Sequence, residues 1–211
     1  MAKLINGILG GISGKIGNIV GARWKDMLIV RTAPKPTTKP RTAKQLAQIA
    51  KFKFVQEFLG PFKPYFTVGF RNEAKNRTEC NVAFSLNYKT AIFGDAPNFE
   101  IDYSSLVMSS GRLANLFNPK IVFSSANTLT LTWENIDESL SSPDDQLTLM
   151  LYSPELKKTE GFIGGVSRSA ESHTFELNPR IVGKTLEIYV STSSINRSQL
   201  SNSLYLGRRS R

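Results

Sequence analysis

Thr128-Leu129-Thr130-Leu131-Thr132-Trp133 alternates threonine with a large apolar side chain, and Leu147-Thr148-Leu149-Met150-Leu151-Tyr152 repeats the period further on. A period of two puts Leu129, Leu131 and Trp133 on one side of an extended chain and the threonines on the other, the pattern of a half-buried strand. Working outward, Ile121 to Phe123, Phe162 to Arg168, His173 to Leu177, Leu186 to Ser191 and Gln199 to Leu206 carry the same mix of β-branched, aromatic and aliphatic residues between turn formers. From about Asn118 onward the pattern predicts seven short strands in about 90 residues, the size of an immunoglobulin-like sandwich. The chain has 1 Cys, so the inter-sheet disulfide of antibody domains is excluded.

Upstream, the spacing is helical. Thr42-x-x-Gln45 has the form of a capping box and opens a helix predicted over about 43–59, which Gly60-Pro61 would end. Leu46, Ala50, Phe54 and Phe58 form one row on it, and Ile49, Phe52, Val55 and Leu59 a neighbouring stripe. So broad an apolar face belongs to a core or a subunit interface. After Pro64, the alternation of Phe66, Val68 and Phe70 predicts a strand. Residues 79–92 read as a helix with Val82, Ala83, Leu86 and Ala91 inward, closed by Gly94. Phe99 to Tyr103 and Leu106 to Ser109 read as short strands.

The N-terminal stretch is glycine-rich. Six glycines from Gly7 to Gly21 recur among Ile8, Leu9, Ile12, Ile16, Ile19 and Val20. Glycine costs up to ~1 kcal/mol per helical position, so an extended or looped arm is expected that packs closely on something. Asn18 to Trp24 and Met27 to Thr32 flank Lys25-Asp26 and predict a β-hairpin. Pro34, Pro36 and Pro40 among Lys35, Lys39 and Arg41 then make an extended basic connector. Two phosphate-binding readings fail here. Ile16 follows Gly14-Lys15 where a P-loop needs Ser or Thr, and the dinucleotide fingerprint lacks its preceding strand and following helix.

Of 211 residues, 27 are Lys or Arg and 17 Asp or Glu, for a net charge of +10. Residues 1–80 hold 15 basic against 4 acidic side chains and residues 81–211 hold 12 against 13, so the whole excess lies in the first part. Such asymmetry points to nucleic acid, an anionic surface or an acidic partner. With 1 Cys and 1 His, thiolate and histidine metal clusters are excluded. No stretch approaches the ~18 apolar residues of a membrane span. The glycine-broken start offers no conventional signal peptide, which leads to the expectation of a cytoplasmic or particle-associated protein.

Catalytic patterns are weak throughout. His173 sits in a Ser-His-Thr strand without a nucleophile elbow, and reads as a surface or strand histidine. Cys80 has Lys75 and Arg77 nearby but no second thiol. Asp144-Asp145 are adjacent, so they face opposite ways and read as the polar start of a strand. Glu100 and Asp102 would share a strand face, as solvated carboxylates. No catalytic, cofactor or metal residues are assigned, and the expectation is a non-enzyme.

Two resemblances bear on these readings. The Leu-Thr-Leu-Thr-Trp run at 129–133, with Ile188-Tyr189-Val190 late in the domain, resembles the fibronectin type III variant, whose early strand carries a core Trp. Gly10-Gly11-Ile12-Ser13-Gly14-Lys15-Ile16-Gly17, then Val20-Gly21, Trp24-Lys25, Arg31, Lys39-Pro40-Arg41-Thr42, Gln45 and Phe52 resemble the N-terminal signature of an uncharacterised Bacteroidota family of about this length. Ser201-Asn202-Ser203-Leu204-Tyr205-Leu206-Gly207 is similar to its ending. Asp26 departs from that pattern, where glycine would be expected in the turn. The resemblance implies a domain of unknown function and transfers no catalytic residues.

The reading as a whole is a mainly β chain with a helical N-terminal part, α+β in class. It comprises a Gly/Pro-rich basic arm with a hairpin (1–41), a mixed segment (42–117) and an immunoglobulin-like sandwich (118–211). The expected role is a structural assembly subunit of a phage-like particle, filament or surface assembly, partnered by its own copies or other structural subunits. The alternative is a sequence-independent nucleic-acid binder. Arg23, Trp24, Lys25, Arg31, Lys35, Lys39, Arg41 and Lys44 are the candidate contacts for either, because they interleave cationic groups with one aromatic ring. No cofactor is expected.

Overall fold

A computed structural model describes residues 3–4, 10–25, 27–135 and 140–210. Ile8, Leu9, Gly7 and the turn residue Asp26 lie outside the described residues. The chain divides into two compact units, Met1–Thr42 and Ala43–Arg211.

The first unit is an antiparallel sheet in the order β1 (Lys3–Leu4), β2 (Ile12–Ile16), β3 (Ile19–Trp24) and β4 (Met27–Thr32). The expected hairpin is β3 with β4, closed by the pair Trp24↔Met27. The glycine-rich stretch before it supplies another strand, β2, which turns into β3 through Gly17 (φ +53°) and Asn18. Glycine is demanded at one strand position here. A Cβ on Gly21 would collide with the backbone carbonyl of Ile12.

The second unit opens with α1 (Ala43–Leu59), where the sequence placed it. α1 ends at Leu59, directly before Gly60-Pro61 as expected, but the chain does not leave helical geometry there. Proline is accommodated in the first turn of a 3-10 segment (Gly60–Phe62), which passes into α2 (Lys63–Gly69). The strand expected around Phe66 to Phe70 is therefore helical. Phe62, Phe66 and Phe70 recur every four residues and all three are buried, so the period of two seen at 66, 68 and 70 was part of a helical stripe. α3 (Glu79–Thr90) begins at Thr78, whose hydroxyl accepts the Asn81 amide at 3.2 Å.

Of the two short strands expected next, one survives as β6 (Glu100–Ile101), paired with β5 (Ile92–Phe93). Leu106 to Ser109 form none. The fully buried Asn87 amide pairs with both backbone groups of Val107, accepting its N–H at 2.8 Å and donating to its carbonyl at 2.9 Å. A side chain has thus taken the place of a neighbouring strand.

The remaining strands are β7 (Phe117–Phe123), β8 (Thr128–Glu134), β9 (Gln146–Ser153), β10 (Lys158–Ser167), β11 (Ser172–Glu176), β12 (Leu186–Ser193) and β13 (Leu204–Arg209). They make two antiparallel sheets, β11-β8-β7 and β10-β9-β12-β13. Leu129, Leu131 and Trp133 of the first meet Leu147, Leu149, Leu151, Ile188 and Val190 of the second in one core. The other face of the four-stranded sheet is covered too. Met150, Tyr152 and Tyr189 pack against Val55, Phe58, Phe62, Phe66 and Phe70 of the helices. β9 and β12 are therefore buried on both faces, so helices and sheets share one compact unit.

Candidate functional site

Residues that pair directly across antiparallel strands share a face, so the register of the N-terminal sheet sorts its side chains. On one face, Lys15, Val20 and Arg31 form a cross-strand row, with the pairs Ala22↔Ile29 and Trp24↔Met27 beside it. Lys3 pairs with Ser13, two residues before Lys15, and belongs to the same face. The opposite face carries Ile16, Ile19 and Thr32 in one row, Gly14, Gly21 and Val30 in the next, and the pair Arg23↔Leu28.

That second face is almost free of charge and exposed. Ile19, Leu28 and Val30 expose 48%, 62% and 59% of their surface. Among the described residues of this unit Gly21 alone is buried. On this face Ile16 and Ile19 stay about half in water, so each forgoes roughly half of the ~1.5–3 kcal/mol that full burial would contribute.

The sequence-predicted contacts are thus brought together only in part. Trp24 and Arg31 share a face, and Lys15 and Lys3, which the sequence reading missed, join them. Arg23 projects on the other side, with its Nε donating to the Lys25 carbonyl at 3.2 Å. Lys25 occupies the β3–β4 turn at φ +50°. Lys35, Lys39 and Arg41 lie in an exposed connector without regular structure, and Lys44 is exposed in the first turn of α1. Lys15 was discoverable in principle, since Gly17-Asn18 is a turn signal that predicts a strand on either side.

On α1 the broad apolar face is only half used. Val55, Phe58 and Leu59 enter the core, whereas Leu46, Ile49 and Phe52 remain exposed, Phe52 resting on Phe84 with ring centres 4.7 Å apart.

The residues weighed for catalysis have structural surroundings. His173 meets Phe162 edge-on at 5.0 Å. Asp102 accepts hydrogen bonds from the hydroxyls of Ser104 and Ser105 at 2.5 and 2.7 Å, which hold its carboxyl below the usual range. Asp145 is buried against Arg168, 3.3 Å away, while Asp144 stays exposed. Among the described residues, no group of three or more His, Cys, Asp or Glu side chains is placed to hold a metal ion. No helix among them is long and apolar enough to cross a membrane.

Residues 11–207, from the glycine before β2 into β13, match the family model described as a family of unknown function (DUF6266). The chain belongs to that family. The match reaches into both compact units, so β2 to β4 and the connector fall within the DUF6266 domain along with the helices and sheets that follow. No curated protein matches this DUF6266 chain.

Proposed function

We propose that the protein is a non-enzymatic structural subunit, part of a phage-like particle, filament or surface assembly, attached to its neighbours through the N-terminal sheet. The observation that carries this reading is the exposed apolar face of Ile16, Ile19, Leu28 and Val30 on a sheet with no described covering layer of its own. The exposed half of the α1 stripe, Leu46, Ile49 and Phe52, supports it.

The C-terminal sheets support it as well, read as an immunoglobulin-like sandwich of the fibronectin type III kind. Their first, second and fifth strands form one sheet and their third, fourth, sixth and seventh the other, with Trp133 on the second strand facing the core. Such modules serve widely as cell-surface and adhesion units. Light scattering coupled to size exclusion, on the full chain and on a chain lacking residues 1–42, tests the proposal. An oligomer that falls to a monomer on deletion supports it, and a monomer in both cases overturns it.

The second reading is sequence-independent nucleic-acid binding, favoured by one arrangement, the shared face of Lys3, Lys15, Trp24 and Arg31. Its signature is a log affinity that falls linearly with log salt and is weakened by Lys15→Glu and Arg31→Glu. Absence of binding to single-stranded DNA at ~50 mM salt would dismiss it.

A further inference from the structure

Between α1, the end of β9 with its turn into β10, and the segment of Ile101 and Tyr103 lies a cavity of about 160 Å³. Its walls include the rings of Phe54, Phe58, Tyr103 and Tyr152, with Glu57 and Lys157 at its borders. Phe58 meets Tyr103 and Tyr152 edge-on, at 6.2 and 5.7 Å between ring centres. These rings are fixed by the core, since Phe58 and Tyr152 are buried.

One group in the cavity has no hydrogen-bond partner among the described residues. Tyr152 exposes 3% of its surface, and its hydroxyl makes no hydrogen bond to any described residue. The polar side-chain atoms sealed from water without a partner are Ser153 Oγ and Glu160 Oε2 among the described residues, so the Tyr152 hydroxyl keeps access to the cavity. Like any tyrosine it is a donor at neutral pH, and burial pushes its pKa further up, to about 12. An aromatic-walled pocket holding an unused hydroxyl donor suits a polyproline II segment. Such a segment presents proline rings to aromatic faces and carries backbone carbonyls that no internal hydrogen bond uses.

The chain itself contains such a segment. Pro34-Lys35-Pro36-Thr37-Thr38-Lys39-Pro40 has no regular secondary structure and is exposed throughout. Lys-Pro occurs twice in it, and the carboxylate of Glu57 stands at the border of the cavity. Glu57 is 3.8 Å from Lys53 in a pair whose side chains are 69% and 75% exposed, too weakly held to take the carboxylate out of use.

We infer that the aromatic cavity of one copy receives the proline-rich connector of a second copy, a Lys-Pro ring entering among Phe54, Phe58, Tyr103 and Tyr152 while its lysine meets Glu57. This rests on the assembly reading above and names its partner. Because each copy carries one connector and one cavity at different places, the contact is heterologous. Repetition closes a ring or extends a filament.

The test is sedimentation velocity across a concentration series on four full-length proteins: wild type, Tyr152→Phe, the double variant Pro36→Ala/Pro40→Ala, and the sheet-face double variant Ile19→Lys/Val30→Lys. The expected result is self-association weakened about three- to tenfold by Tyr152→Phe and at least as much by the proline variant. A synthetic peptide of residues 32–42 should compete, and one with alanine at positions 36 and 40 should not. The proline positions are exposed outside any helix or strand, so that variant decides the matter even if Tyr152→Phe disturbs folding. Association unchanged by the proline variant but lost with the sheet-face variant overturns the cavity contact and leaves the assembly reading standing. A wild type that stays monomeric overturns both.

Discussion

Arg168 and Asp145 form a buried ion pair, with Nε and Oδ2 3.3 Å apart and side chains 5% and 2% exposed. The guanidinium also donates to the carbonyls of Ala114 and Asn115, and the Arg168 backbone amide donates to the Asp145 carbonyl at 2.7 Å. One side chain therefore joins the start of β9, the end of β10 and the segment leading into β7. The backbone carbonyl of the same residue accepts the Trp133 Nε1 proton at 2.7 Å.

Removing one partner of such a pair strands the other in a low-dielectric interior. Arg168→Ala should cost about 3–5 kcal/mol of stability, measured by urea unfolding of the full chain at neutral pH. A loss below ~1 kcal/mol would mean that the Asp145 carboxylate finds water.

Trp133 exposes 4% of its surface and Trp24 42%. In a Trp24→Phe protein, the remaining native fluorescence should resist iodide and become quenchable on unfolding. Strong quenching of the native protein would count against Trp133 lying between the two sheets.

Five of the six tyrosines have raised pKa values, Tyr65, Tyr152 and Tyr205 to about 12. Burial is the main cause in each, and at Tyr205 the hydrogen bond to Glu187 Oε2, 2.5 Å long, adds to it. A folded pKa above the unfolded value near ~10 means that the native state holds its proton more tightly. The resulting stability is whole below pH ~10 and is lost as pH climbs toward about 12. Ultraviolet titration should show most phenolate appearing together with loss of circular dichroism in that window. Smooth ionisation of the native protein near pH 10 would refute it.

Gly21→Ala forces a Cβ against the Ile12 carbonyl. Overpacking of this kind costs about 1–3 kcal/mol. Since Met1–Thr42 is a compact unit of its own, the loss should be local. Hydrogen exchange should accelerate across residues 12–32 and stay unchanged across β9 and β12; acceleration in both would show that the units unfold together.

Much of this architecture was legible in local pattern. The period of two at 129–133 and 147–151, the apolar rows over 43–59 and the turn signal between Trp24 and Met27 each lie within one window. Each produced the element expected of it. Of the candidate contacts, the opposite placement of Arg23 and Trp24 follows from their adjacency, but the sharing of a face by Trp24, Arg31 and Lys15 required the register of three strands.

What the sequence determined by itself was which segments extend or coil, because alternation and capping are properties of neighbours along the chain. The tertiary structure alone decided that the helices cover the second face of the β10-β9-β12-β13 sheet, that Asn87 stands in for a strand beside Val107, that Arg168 finds Asp145, and that Phe66 to Phe70 coil. These outcomes depend on residues tens of positions apart meeting, and on which of two available faces gains more by leaving water. A one-dimensional pattern carries no term for either.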